Sequence, residues 1–150
     1  MKSILRIAAT YSVFALTSAT IALAAPAVGT ITIPTPFGSS PVVTWVWGAG
    51  FISSTGKAVF NDLSVTRNPD GQSPLFVHAL AIGQHLATVV LVDGSTTITL
   101  TDAVVTAYST GDSASANTTR TENVAFSFGR VTYTVNGVTT CFDVTSSVSC

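Results

Sequence analysis

Two histidines (His78 and His85), one glutamate (Glu122) and six aspartates are the side chains of this 150-residue sequence best suited to proton transfer. A hydrolase built from them needs one histidine beside an activated serine and an orienting acid. Serines are plentiful, 17 in all, but no G-x-S-x-G or other nucleophile signature surrounds them. His78 sits between the apolar Val77 and Ala79, and His85 follows Gly83 closely. Both are places for a surface or capping imidazole. Metal binding finds no His-x-His, no His-x-x-x-His and no clustered carboxylates. Asp62, Asp70, Asp93, Asp102 and Asp112 are dispersed, and Asp70 and Asp93 precede glycines, as turn residues do. The expectation is no catalytic residue, no metal and no cofactor.

Two other pairs carry information. Cys141 and Cys150 are the only cysteines, and an even count in an exported chain reads as a disulfide. It would close a loop of about 10 residues, contribute roughly 2–3 kcal/mol in the chain-entropy view, and pin the C-terminal tail to the last strand. A two-cysteine metal site lacks partners nearby. Trp45 and Trp47 lie two apart on one strand and so share a face. Aromatics on one sheet face can stack on sugars or bases, and they also fill cores and interfaces. They motivate the alternative of a secreted β-sandwich that binds a ligand such as a glycan. Asn117-Thr118-Thr119 is a glycosylation sequon in a loop.

Composition narrows the classes further. Charged residues make up 9 % of the chain, against about 25 % in an ordinary soluble domain. Twenty-four Thr and 17 Ser stand in their place, so the polar surface is expected to be made of hydroxyls. Disorder needs low hydrophobicity or high net charge, and 47 % hydrophobic residues with a net charge of −1 supply neither. Six scattered Lys and Arg cannot build a nucleic-acid footprint.

Lys2 and Arg6, the apolar run over residues 7–25 and Ala22-Leu23-Ala24 have the form of a cleaved signal peptide. Export to a periplasmic or extracellular location is expected, with residues 1–24 removed and 25–150 forming one domain. No stable membrane insertion is expected after cleavage, because no other apolar run is long enough to span.

The elements that must position these residues are mostly strands. Val, Thr, Ile, Phe and Tyr dominate beyond the signal. Strands are expected at 28–33, ended by Pro34 and Pro36, and at 42–47. A loop opens at Gly48 and Gly50 and closes at Gly56. A strand over 57–67 is expected to bulge near Asp62. Ser73 as N-cap, Pro74 at the first helical position and Gly83 as the stop frame one short helix, about 73–83. Leu75, Phe76, Ala79, Leu80 and Ile82 form its apolar stripe. Strands resume at 85–92, and Asp93-Gly94 is expected to form a type I′ hairpin into 96–100. That strand runs on toward Tyr108 with a break at Asp102. Val124, Phe126 and Phe128 alternate with polar or small residues, and Asn136-Gly137 makes a second tight hairpin. About eight strands and one helix argue a mostly β fold: a sandwich or partly open barrel of two packed sheets with one short flanking helix.

The order of residues adds a resemblance. The run KAVFNDLSVTR at 57–67 leads into NPDGQSPLF at 68–76, and the helix ends ALAIGQHL at 79–86. Phe60, Asp62, Val65, Arg67, Asp70, Ser73, Pro74, Leu75, Gly83 and His85 follow the order seen in the haemolysin-coregulated protein (Hcp) family. Downstream, LTDAVV at 100–105 and ENVAFSF at 122–128, which opens on Glu122, resemble two further family strands. The stretch 42–48 resembles an earlier one. The similarity spans roughly residues 42 to 135.

This resemblance implies a compact β-barrel of two packed sheets with a flanking helix. It implies a non-enzymatic tube protein of type VI secretion. Its partners would be copies of itself, in a ring of six that stacks into a tube, with secretion-system spike proteins or small effector cargo besides. In the family the loop after the second strand contacts other protomers and rings. Here that loop is the short stretch with Gly48, Gly50, Phe51 and Gly56. The signal peptide and the Cys141/Cys150 pair depart from the usual family pattern. Together they suggest the fold redeployed outside the cytoplasm as an exported ring or extracellular tube.

Overall fold

The computed structural model of the chain describes residues 26–111 and 120–150. The expected signal peptide at 1–24, Asp112 and the sequon at Asn117 lie outside the described residues.

Eleven strands and one helix are present among the described residues. They are β1 (Gly29–Ile33), β2 (Gly38–Val42), β3 (Thr44–Val46), β4 (Ala49–Ile52), β5 (Lys57–Phe60), β6 (Leu63–Arg67), α1 (Ser73–Ile82), β7 (His85–Asp93), β8 (Thr96–Gly111), β9 (Thr121–Val135), β10 (Val138–Asp143) and β11 (Val148–Ser149). Nine strands form one sheet, along the path β11-β10-β9-β8-β7-β1-β2, with β6 pairing both β9 and β3. β4 and β5 form a separate two-stranded sheet. The fold class is therefore as expected: mostly β, two sheets and one short helix. The sheets are unequal, however, and the large one is not a closed barrel. At its open side the link between β2 and β3 meets β6, with the Val43 N–H donating to the Thr66 carbonyl at 2.8 Å.

The large sheet encloses its core by bending. On β8 the buried positions are Ile98 and Leu100 before Asp102, and Ala103 and Val105 after it. On β9 they are Val124 and Phe126 before Gly129, and Val131 after it. On β7, Leu86 and then Val89 and Leu91 make the same change. A strand keeps one face inward only while its period of two is unbroken. All three strands lose that period at one line, where the pairing lapses: Leu86–Ala103 and Thr88–Thr101 flank Ala87 and Asp102, and Thr101–Arg130 and Ala103–Phe128 flank Asp102 and Gly129. Asp102 adopts φ 52°, left-handed backbone that aspartate tolerates better than most residues. The break expected at Asp102 is thus the fold line of the sheet. Outside it, Thr30, Thr32, Thr97, Thr99, Thr132 and Thr134 alternate with buried Ile31, Ile98, Leu100 and Val131. Two hydroxyl pairs span neighbouring strands, Thr32 with Ser39 at 2.8 Å and Thr134 with Thr139 at 2.9 Å. The hydroxyl-rich composition is used where it was expected, on the outer face.

Several local expectations need correction. The expected strand at 42–47 holds only the last residue of β2 and the whole of β3, and β2 begins earlier, at Gly38, after the cis Thr35–Pro36 bond. Pro41 sits in β2, where its ring faces the exposed side. The expected loop at 48–56 and the strand at 57–67 resolve into the β4–β5 hairpin plus β6, so the break near Asp62 is a change of sheet rather than a bulge. Ser73 is not the N-cap. Gln72 holds that position with no side-chain cap, and the Ser73 hydroxyl accepts from the Asp70 N–H at 3.0 Å. The turn expected at Asp93-Gly94 is centred on Gly94-Ser95 and closed by the Asp93–Thr96 pair. Gly94 has φ 56° and Ser95 no positive φ, which excludes type I′. Asn136 and Gly137, at φ 50° and 80°, do form the I′ type.

The helix meets its other expectations. Pro74 occupies the first turn, and Gly83 ends it at φ 61°, donating its N–H back to helix carbonyls. Phe76 and Ala79 are buried against the sheet, and Leu75 and Leu80 pack at the margin. Ile82 departs from the expected stripe and is 61 % exposed.

Candidate functional site

The most polar interior feature begins with Arg67, the last residue of β6, and Glu122, its direct cross-strand partner on β9. Both side chains are fully buried. The guanidinium Nε lies 3.2 Å from Glu122 Oε1, an ion pair without the alignment of a good hydrogen bond. Arg67 also pairs with Asp70, three residues on, and its guanidinium lies over the Phe76 ring at 5.0 Å. The other Glu122 oxygen accepts from the Tyr108 hydroxyl at 2.7 Å. Burial and the Glu122 charge both raise the Tyr108 phenol above its ordinary range.

Around this pair the chain is tied together. Ser40 of β2 donates to Asp70 at 2.9 Å and lies 3.0 Å from the Gln72 amide oxygen. The Gln72 N–H donates to Asp70 at 2.7 Å. Partial burial pushes the Asp70 carboxyl up, but the Gln72 N–H, Ser40 and Arg67 together leave it below its ordinary value. One charge network thus joins β2, β6, β8, β9 and the turn before α1. A removed partner would leave an uncompensated charge in the interior, so the network fixes how these elements meet.

The family-pattern residues scatter over the fold. Val65 is core, opposite Trp45 and Val124. Asp62 accepts from Thr106 at 2.5 Å, beside the bulge between Val105 and Ala107. Pro74 and Gly83 shape the helix. His85 is exposed, with Nδ1 2.6 Å from Asp102 Oδ1 at the sheet's fold line. Phe60 and Glu122 serve packing and the charge network. His78 is exposed on α1. No group of three or more His, Cys, Asp or Glu able to hold a metal occurs among the described residues. No helix among them is long and apolar enough to cross a membrane.

The tryptophans do not offer a free stacking face. Trp45 Nε1 donates to Asp93 at 2.9 Å, and both rings pack against the core. Trp47 lies on Phe60 at 6.2 Å between ring centres and against Tyr133 at 5.3 Å. Phe60 in turn meets Phe142 at 4.8 Å. Nothing in this arrangement supports glycan binding.

The β4–β5 hairpin carries a cluster of exposed apolar side chains. Phe51 is 70 % exposed, and Ile52 and Val59 are exposed beside it. Gly50 and Gly56 lie within this arm, Gly56 in its turn at φ 66°. Gly48 stands at its base, where its carbonyl accepts from the Asn61 N–H at 2.9 Å. From the sequence the first half of this arm, 48–56, reads as a loop and the second as the start of a strand over 57–67, because β4 buries no face and so carries little alternation. Cys141 of β10 and Cys150, the residue after β11, have a Cα separation of 5.2 Å and sulfurs at bonding distance.

Comparison with known proteins bears on what such a body does. Hcp1 from Salmonella typhimurium superposes with a TM-score of 0.72 at 19 % identity, over 83 % of this chain and 100 % of that one. A type VI secretion system effector from Yersinia pestis gives 0.66 at 21 %, over 77 % and 99 %. Secreted protein Hcp3 from Pseudomonas aeruginosa gives 0.60 at 20 %, over 79 % and 99 %. At these identities the likeness shows the fold. A comparison with curated proteins returned no match. The family described as "Type VI secretion system effector, Hcp" matches residues 39–135, and the chain belongs to that family.

Proposed function

We propose that this chain is a structural, self-assembling tube or ring protein of the type VI secretion type, without catalysis of its own. Family membership over residues 39–135 carries the reading. The surface supports it physically. The β4–β5 arm projects Phe51, Ile52 and Val59 into solvent, and an exposed apolar patch of this kind suits a protein contact. The arm with Gly48, Gly50, Phe51 and Gly56 is the part that would touch a neighbouring copy. A ring of six is the expected state, with spike proteins or small effectors as further partners.

Two features support an oxidising setting. The N-terminal pattern of residues 1–24 is that of a signal peptide, and Cys141 and Cys150 are positioned for a disulfide. The mature domain, 25–150, would then act as an exported ring or extracellular tube.

The test is the mass of the purified mature protein in solution, with electron micrographs of the same sample. Six-fold rings are expected at micromolar concentration. A clean monomer at high concentration with no rings in the micrographs would overturn the reading.

A further inference from the structure

We propose that the Cys141–Cys150 pair is a thiol-openable clasp that controls the order of the projecting β4–β5 hairpin. This rests on the reading of the pair as a disulfide.

The first step is the weak non-covalent hold on β11. That strand has two residues, both exposed, and pairs only Phe142 with Ser149 and Asp143 with Val148. One further bond runs from the Cys150 N–H to the Cys141 carbonyl at 3.2 Å. The turn leading to it places Ser147 at φ 59°, a conformation unfavourable for serine. The Asp143 carboxylate, accepting from the Ser146 N–H at 2.8 Å, is the turn's side-chain support. Exposed two-residue ladders lie at the fraying end of native stability. A covalent link between directly opposed residues is what keeps this strand on β10.

The second step is what β10 holds. Phe142 follows Cys141 and is half-buried, with its ring 4.8 Å from Phe60. Phe60 is the one residue of the β4 and β5 strands that is not exposed. It stands at the hairpin base, where it pairs with Ala49 and stacks on Trp47. The hairpin therefore has one anchoring side chain, and that anchor leans on the residue beside the clasp. An isolated two-stranded hairpin is marginal in water, so loosening its anchor is felt along the arm.

The chemistry needs a dithiol as reductant. Its thiolate attacks the exposed Cys150 sulfur, breaking the S–S bond and releasing Cys141 as a thiolate. The dithiol's second sulfur then displaces Cys150. Two electrons and two protons pass to the protein, and the dithiol leaves as its disulfide.

The experiment is amide hydrogen exchange on the full purified protein, with and without dithiothreitol, after counting reactive thiols with a maleimide. Fewer than 0.1 reactive thiols per chain are expected before reduction and about two after it. Reduction is expected to raise exchange about tenfold or more at β10 and β11, and about threefold or more along the hairpin, with the amides around Leu91, Ile98 and Leu100 unchanged. In Phe142→Ala the hairpin is expected to exchange fast in both states. Two reactive thiols before reduction would overturn the disulfide reading itself. A disulfide whose reduction frees β11 but leaves the hairpin unmoved would overturn the coupling alone. A rise in exchange throughout the core would also overturn it, by making the link a general stabiliser.

Discussion

At the scale of single residues, the interior charge network sets the sharpest expectations. Arg67 and Glu122 are both fully buried and directly opposed. Removing one member of such a pair leaves the other uncompensated, at a cost of about 3–5 kcal/mol. Arg67→Met and Glu122→Gln should each lower stability by that order in urea unfolding. The double change Arg67→Met with Glu122→Leu should recover much of it, because the cost lies in the orphaned charge. Additive losses in the double variant would show that the two side chains act independently, and would overturn the orphaned-charge account.

Asp70 makes the same network sensitive to acid. Its carboxyl is held below its ordinary value of 3.8 in the folded chain despite partial burial. The contribution is complete above that ordinary value and is lost as pH falls through the lower folded value. Thermal unfolding followed from pH 6 down to pH 2 should show a decline that Asp70→Asn flattens. Tyr108 acts at the other end, because its raised phenol favours the folded state below its ordinary value of 10.0. That contribution disappears as pH rises through the folded value, so Tyr108→Phe should remove part of any alkaline loss. None of this was legible in the sequence. Arg67 stood out only as one member of a family-like order, and Glu122 as a strand opener. Their pairing depends on β6 meeting β9 across more than fifty intervening residues, which no local pattern encodes.

At the scale of elements, what could be read followed from periodicity and stop residues. The helix was legible because Pro74 and Gly83 bracket an apolar stripe, and the Asn136-Gly137 hairpin because only a few residues accept positive φ twice. β4 and its pairing with β5 were illegible, although β5 falls within the expected strand at 57–67, since a hairpin with both faces largely in solvent lacks the alternation that marks a half-buried strand. That same lack of a buried face makes the arm a probe of assembly. Phe51 is 70 % exposed, so Phe51→Asp should leave the unfolding midpoint within about 0.5 kcal/mol of the parent. If the arm sits in a contact between copies, the new charge should weaken association by about ten- to a hundredfold. Sedimentation over a concentration series would read this directly. Unchanged association would move the contact elsewhere on the surface.

At the scale of the whole molecule, the low charge becomes a statement about how copies hold together. Only 9 % of residues are charged, and much of the buried charge is spent on the Arg67 network. The outer face of the large sheet is threonine, and the large exposed apolar groups include Val46, Phe51, Ile52, Val77, Ile82 and Val138. A contact between such surfaces has few ion pairs to screen, whereas exposed charges are largely screened from one another beyond about 3 Å at 1 M ionic strength. Apolar contact is strengthened by excluded salts such as sulfate and weakened by urea. The assembled fraction should therefore hold or rise from 0.05 to 1 M sodium sulfate, and fall in urea below the concentration that unfolds the protomer. Mass photometry across both series separates the two causes. Dissociation by salt alone would mean that the few exposed charges, such as Arg130 and Asp143 at 3.3 Å, govern the contact. It would also mean that the apolar arm is not what joins the copies.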